Sequence, residues 1–382
     1  MNSTGKTIPI WYGIFTFSAT IIGAGILALL IAASRSGFLP LAANLIVIGV
    51  VSIISALYIA EITFSVDAGS HLPAISKKHL GVLGEWAMLA GMAIYIYGAL
   101  TGYITAGGVI LFALSKGVIS IFWGKIIYFV AGLSIIYAGL RIVSVISTYL
   151  FLLMIALLGV IIILAAPMVN IDNITVSNWP DVFSLFGITV FAYVGHSVIP
   201  SLARALKKRE DIKKIAVFGI LPPILLYLLW AFVVLGAVST DALDMAGLNN
   251  QPATIPLGYA VGGSIILLGS IFAVFSTLTS YIGFGASLKD AWMDIRLFVH
   301  NLTDKIAIFL TCLPPLLISL TNTGNLFVRA LDIAGGVGGA IFVGVLPTVI
   351  ILKIRRKGPV IGLIAPAIIL LIYFFGIATV IF

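Results

Sequence analysis

Residues 276–280 read Ser-Thr-Leu-Thr-Ser inside an otherwise apolar run. On a helix, Ser276 and Ser280 share one face with Thr279 beside them, so hydroxyl oxygens converge on one side. Neutral oxygens suit a hard monovalent cation; Ca²⁺ takes about 6–8 oxygens including carboxylates, and none is placed here. The competing reading is local: a helical Ser or Thr hydroxyl bonds the carbonyl one turn back. His196 is the one histidine centred in an apolar segment, and an ionisable group at that depth is a candidate proton carrier. It serves equally as a neutral imidazole bridging backbone groups. Arg329 and Asp332 lie three apart, close enough to pair on a helix face, either as part of a gate or as a structural pair. Tyr95, Tyr97, Tyr103, Tyr193, Phe272 and Phe275 could line an aromatic pocket, and Phe191 and Tyr193 stand next to a helix-breaking sequence.

Groups of this kind need elements that hold them in an apolar medium. Of the 382 residues, 61% are hydrophobic and 9% charged, and the mean hydropathy is +1.23. A soluble domain is about 45–50% apolar and about 25% charged, so the chain is an all-α polytopic membrane protein. Its apolar segments run over 9–33, 39–62, 84–114, 121–140, 142–166, 182–202, 215–239, 256–288, 305–320, 326–352 and 359–382. Most approach or exceed the ~20 residues a helix needs to cross hydrocarbon; 305–320 is short and interrupted by proline. The ~10-residue alternating segments of a membrane β-barrel are missing. Eleven spans with a cytoplasmic N-terminus put 17 of the 21 Lys and Arg residues inside, with Arg35, Lys116 and Lys125 outside and Arg329 within a span. That bias fixes an orientation with Phe382 outside, and it assigns the net charge of +8 to topology rather than to nucleic acid. Six of those cations fall within 204–214, read as a topology anchor ahead of an anionic-lipid site. Glu61 and Glu85, at inner span ends, read as solvated interfacial carboxylates. Cys312 is the single cysteine, so neither an internal disulfide nor a cysteine metal site is available.

Two spans are interrupted at their centres. Span one contains Gly23-Ala24-Gly25, and span six runs Tyr193-Val194-Gly195-His196-Ser197-Val198-Ile199-Pro200. Glycine weakens a helix interior and proline removes a backbone bond, so both can unwind there. Unwound backbone at membrane depth is tolerated where it is buried in protein or lines a cavity. Matched breaks five spans apart predict two inverted repeats of five helices, about 9–166 and 182–352, plus an eleventh helix at about 359–382, with a substrate site between the repeats. Glycine used only for close helix packing is the alternative.

Ile21-Ile22-Gly23-Ala24-Gly25-Ile26-Leu27-Ala28 resembles the first span of permeases of the amino acid–polyamine–organocation superfamily. Span six, with Tyr193, His196, Ser197, Pro200 and Ser201, resembles the aromatic amino-acid permease branch, although that branch places a glycine after the histidine. Thr279-Ser280-Tyr281-Ile282-Gly283 and Ala330-Leu331-Asp332-Ile333-Ala334-Gly335 with Val345-Leu346-Pro347 fit the same pattern, and Tyr103-Ile104-Thr105-Ala106-Gly107-Gly108 fits more weakly. The likeness runs through the chain and extends to the auxin and neutral amino-acid permeases.

The resemblance implies a LeuT-type five-plus-five fold and a symporter of neutral or aromatic amino acids working by alternating access. The second half of span one would offer free N–H groups to a carboxylate, and the first half of span six free carbonyls to an ammonium. By that likeness Gly23, Ala24, Gly25 and Ile26 take the carboxylate and Phe191, Ala192 and Val194 the amine. Tyr103, Tyr193 and Phe275 are side-chain candidates. Missing side chains at Gly23 and Gly25 would let substrate approach the backbone. The same fold would place Na⁺ between spans one and eight, on the carbonyls of Ala19, Ile22 and Ser276 with the hydroxyls of Thr279 and Ser280. Proton coupling is the rival; residues 142–166 carry no lysine to stand in for the cation, and His196 would then carry the proton. No cofactor is implied beyond the coupling Na⁺ or H⁺. A membrane-embedded enzyme needs a convergent nucleophile and base or a metal cluster, and His71, His79, His196 and His300 are scattered. A channel would want filter repeats, and there is no nucleotide-binding loop for ATP.

Overall fold

The computed structural model describes residues 9–66, 70–138, 140–206, 208–294, 303–321, 323–356 and 361–381. Among the residues invoked above, Lys6, Lys207, Arg296, His300, Lys357 and Phe382 lie outside the described residues, and of Arg141 only the backbone is described. The elements are helices: α1 (Ile10–Ile21), α2 (Gly25–Ala32), α3 (Phe38–Thr63), α4 (Leu72–Leu114), α5 (Ile121–Ala138), α6 (Leu140–Ala165) and α7 (Ile171–Thr175). After them come α8 (Phe186–Tyr193), α9 (Ile199–Leu206), α10 (Arg209–Phe218), α11 (Leu221–Ala237), α12 (Thr240–Leu248) and α13 (Thr254–Val261). The chain finishes with α14 (Gly263–Asp294), α15 (Asp304–Ser319), α16 (Leu326–Ile333), a π-helical stretch Ala334–Val345, α17 (Leu346–Arg355) and α18 (Ile361–Ile381).

Among the described residues, 8 helices are long and apolar enough to cross a membrane, and 9 if the bent pair α1–α2 forms one span. That is fewer than the eleven expected. The shortfall falls on α5 and on α15. The latter has 16 residues with Pro314 and Pro315 inside, about 24 Å of rise against ~30 Å of hydrocarbon.

The helices break where glycine or proline permits. α1 and α2 are bent by 41°, with Ile22 at ψ 81° ending the first. α8 stops at Tyr193, Val194 is extended, and a single 3₁₀ turn over His196–Val198 leads into α9. Two further breaks were not anticipated. α4 is kinked at Gly81, φ 75°, just ahead of the apolar run at 84. The 256–288 run is divided at Gly262, φ 148°, a conformation that disfavours any side chain.

Several charged side chains depart from expectation. Glu85 is buried and pairs with Lys77 at 3.0 Å; burying a carboxylate is costly unless a cation accompanies it. Glu61 is half-buried and takes Arg355 at 2.6 Å, whose guanidinium stacks over Tyr58. Lys125 is buried on α5, its ammonium on the Ser319 carbonyl at the end of α15, where the helix dipole is negative. Among the described residues Arg329 and Asp332 form no ion pair. Arg329 is exposed. Asp332 turns to the first turn of α8, packing on Gly187 and accepting the Ile188 N–H, because a helix N-terminus attracts a carboxylate.

Candidate functional site

The start of α2 and the end of α8 meet in the interior. Gly25 faces Ala192 so closely that a Cβ there would stand 2.7 Å from the Ala192 Cα. The missing side chain at Gly25 therefore lets α2 and α8 touch. A Cβ at Gly23 would come closer still, 2.3 Å from the Ser280 hydroxyl oxygen. The bare face of Gly23 looks onto the buried Ser280 and Tyr103 hydroxyls, which face each other and have no further hydrogen-bond partner. A buried polar group left unpaired costs about 1–3 kcal/mol.

Of the N–H groups expected to meet a carboxylate, that of Gly23 is engaged by the Ile21 carbonyl at 2.9 Å. Ala24, Gly25 and Ile26 remain, at a helix start whose first N–H groups lack intrahelical acceptors. Of the carbonyls expected to meet an amine, Phe191 accepts the Tyr95 hydroxyl at 3.2 Å and Ala192 the Tyr227 hydroxyl at 2.9 Å. Val194, past the end of α8, has no helical donor.

The aromatic candidates separate into two groups. Phe191 stacks on Tyr95 at 5.3 Å and meets the edge of Tyr103 at 6.5 Å. Tyr193, two residues on and so on the opposite helix face, tilts against Tyr227 at 5.4 Å and reaches towards Gly49. Phe275 is half-buried on α14 and Phe272 fully buried. Tyr97 donates to the Leu310 carbonyl on α15.

At the expected cation site, Gly23 N–H bonds Ile21 and so deprives the Ala19 carbonyl of its ordinary helical donor. Ile22 caps α1 with its carbonyl outside either helix. Ser276 donates to Ala273 at 3.1 Å, and Thr279 to Phe275 and Ser276 at 2.9 and 3.1 Å. These hydroxyls keep lone pairs for a cation. Ser280 alone among the three donates to nothing. His196 is fully buried, edge-on to Phe17, with Nε2 3.1 Å from the Ser52 carbonyl and Nδ1 without a partner. A carbonyl partner places the proton on Nε2, so the imidazole ties the span-six break to α3.

Tyr227 and Trp230 on α11 escaped the sequence reading. Trp230 donates to the Ile26 carbonyl at 2.9 Å, and the Tyr227 hydroxyl stands 2.9 Å from both Ile21 and Ala192 carbonyls. Their spacing of three, which turns two polar aromatic tips to one helix face, is the available signal.

Together these features define a class: a helical membrane protein in which two interrupted helices meet beside buried, unpartnered polar groups. The chain belongs to the tryptophan/tyrosine permease family, whose sequence model matches residues 6–382. Its members are permeases rather than enzymes, and the family lies within the amino acid–polyamine–organocation class; the expected likeness to the auxin permease branch gives way to this one. The chain is 25% identical over 368 residues to tyrosine-specific transport system 1 of Haemophilus influenzae, covering 93% of this chain and 89% of the relative. It is 24% identical over 378 residues to the low affinity tryptophan permease of Escherichia coli (strain K12), covering 91% and 88%. Glutamine transporter 2 of Aliivibrio fischeri matches at 21% over 349 residues, covering 89% and 88%.

Proposed function

We propose that this chain is a cation-coupled secondary transporter of aromatic and other neutral amino acids, working by alternating access between two inverted repeats at about 9–166 and 182–352. The observation that carries it is the meeting of α2 and α8 at Gly25 and Ala192. A helix start with unfilled N–H groups and a helix end with an unfilled carbonyl lie side by side, complementary to a zwitterion. The carboxylate sits on Ala24, Gly25 and Ile26, and the ammonium on Val194. The substrate ring lies towards Phe191 and Tyr103, with Phe275 and Tyr193 completing the wall in other states. Relatives named for tyrosine, tryptophan and glutamine transport support this substrate range.

Sodium is the proposed coupling ion, held by the Ala19 and Ile22 carbonyls with Ser276, Thr279 and Ser280. The unpartnered Ser280 hydroxyl and the donor-deprived Ala19 carbonyl favour it. Proton coupling is the second reading, favoured by the unpartnered Nδ1 of His196 and by Asp332, which has no cationic partner among the described ion pairs. The test is uptake of labelled tyrosine, tryptophan and glutamine into proteoliposomes, with a sodium gradient or a pH gradient imposed separately. Uptake driven by sodium at equal pH is the expected result. Uptake that ignores sodium and follows the pH gradient overturns the sodium assignment, and no uptake of any of the three overturns the transport reading.

A further inference from the structure

Tyr227 occupies an unusual position on α11. Its hydroxyl lies 2.9 Å from the carbonyl of Ile21, the last residue of α1, and 2.9 Å from that of Ala192, in the last turn of α8. A phenol has one hydrogen to donate. Two carbonyls therefore compete for it, and each belongs to a different interrupted helix. Both are also at helix C-terminal ends, where partial negative charge accumulates and the carbonyls repel one another unless a donor lies between them. The ring is fully buried against Tyr193, and the neighbouring Trp230 fixes α11 to α2 through the Ile26 carbonyl at 2.9 Å. α11 thus reaches the end of α1, the start of α2 and the end of α8 through two side chains.

We propose that Tyr227 is the positioning residue that holds the ends of the two interrupted helices together while leaving them able to part, by turning its one hydroxyl hydrogen between the Ile21 and Ala192 carbonyls. With the hydrogen on Ala192, the end of α8 is held and α1 is free to swing; with the hydrogen on Ile21, the reverse holds. Because one carbonyl is always released, neither helix is bound permanently to α11. This inference rests on the alternating-access reading above.

Two substitutions at one position test it. Tyr227→Phe removes the donor and leaves both carbonyls without it. Tyr227→4-aminophenylalanine, introduced by an expanded code, carries two N–H donors in nearly the same place and satisfies both carbonyls at once. Initial rates of tyrosine uptake and equilibrium tyrosine binding are measured in proteoliposomes for both variants and for the wild type. Tyr227→Phe is expected to raise KM and weaken binding on the order of tenfold, as loss of one buried hydrogen bond implies. The amino variant is expected to bind as tightly as the wild type or tighter while its maximal rate falls several-fold, since both helix ends are then held. A residue that merely fills space predicts no change in either variant, and a single ordinary hydrogen bond predicts full recovery of both binding and rate by the amine; either result overturns the proposal. If Tyr227→Phe does not fold, the comparison of the amino variant with the wild type decides alone, unchanged turnover being the overturning result. Absence of uptake of tyrosine, tryptophan and glutamine alike by the wild type would instead remove the transport reading, and this proposal with it; a wild type that takes up only tryptophan or glutamine is assayed with that substrate.

Discussion

Gly23 and Gly25, two residues apart, press on different partners, Ser280 and Ala192. A Cβ at Gly25 meets the Ala192 backbone, which cannot move aside as a flexible side chain can. Gly25→Ala is therefore expected to cost about 1–3 kcal/mol of stability by overpacking and to weaken substrate binding, and Gly25→Leu to abolish it. Scintillation-proximity binding on monodisperse protein checks this; unchanged affinity in Gly25→Leu would sink the assignment of the break. At the cation site the unequal bonding of the hydroxyls gives an order. Ser280 makes no bond to its own helix and faces only the Tyr103 hydroxyl, whereas the Thr279 hydroxyl is shared between the Phe275 and Ser276 carbonyls one turn back. Ser280→Ala should raise the sodium concentration for half-maximal binding by roughly five- to tenfold, about 1 kcal/mol of lost interaction, and Thr279→Ala by less. Equal sodium curves for wild type and Ser280→Ala would remove Ser280 from the site. The glycines and hydroxyls were legible in the sequence because their types are rare at the centre of a span. Which hydroxyl would be left unpartnered was not, since that depends on how α14 turns against α1 and α4.

Along the elements, small residues decide how closely helices approach. A Cβ at Gly335 would collide with the Gly187 carbonyl and the Phe191 N–H, and one at Gly338 with the Tyr95 N–H. The π-helical stretch, α8 and α4 therefore share a seam with no spare room. Gly283, in the Thr-Ser-aromatic-x-Gly motif, has nothing within 4 Å of the corresponding position. Gly335→Ala should lower the melting temperature and the yield of monodisperse protein, with about 1–3 kcal/mol of overpacking. Gly283→Ala should leave both within error. Thermal melting in detergent separates them, and equal loss in both variants would show that packing along this seam is not what distinguishes them. The breaks in spans one and six were readable because glycine and proline interrupt a long apolar run in a way that lipid would not permit. The role of α11 was not. Its run Leu-Leu-Tyr-Leu-Leu-Trp-Ala-Phe has the composition of any lipid-facing helix, and only tertiary placement turns Tyr227 and Trp230 inward. Glu85 was misread for a related reason: its distance from the membrane surface depends on the kink at Gly81, and one glycine in an amphipathic stretch does not announce a kink.

For the whole molecule, charge and helix length together predict a topology that can be measured directly. Among the described residues only 8 or 9 helices satisfy a full crossing length, and the expected eleven spans, with 17 of 21 Lys and Arg inside, need α5 and α15 to cross as well. Lys125 bears on this. Its burial on α5, against the end of α15, binds the two short helices to each other, and a shared pairing of this kind compensates for limited lipid contact on each. If both cross, the number of spans is odd and the two ends of the chain lie on opposite faces. Single cysteines at exposed positions report on this: Pro9→Cys and Lys208→Cys on the inner side, Asp241→Cys and Ile381→Cys on the outer. Cys312, 1% exposed, should remain silent and serve as the internal background. In intact cells an impermeant maleimide is expected to label positions 241 and 381 and to reach 9 and 208 only after permeabilisation. Labelling of 9 and 381 from the same face would make the count even. Either α5 or α15 would then be re-entrant, and since α15 is the shorter and carries two prolines, it would be the one to reassign. The buried ammonium of Lys125 would in that case cap a loop-like helix rather than staple two crossing spans, and Lys125→Met, which removes the charge and keeps the length, distinguishes these by whether labelling at position 381 changes face.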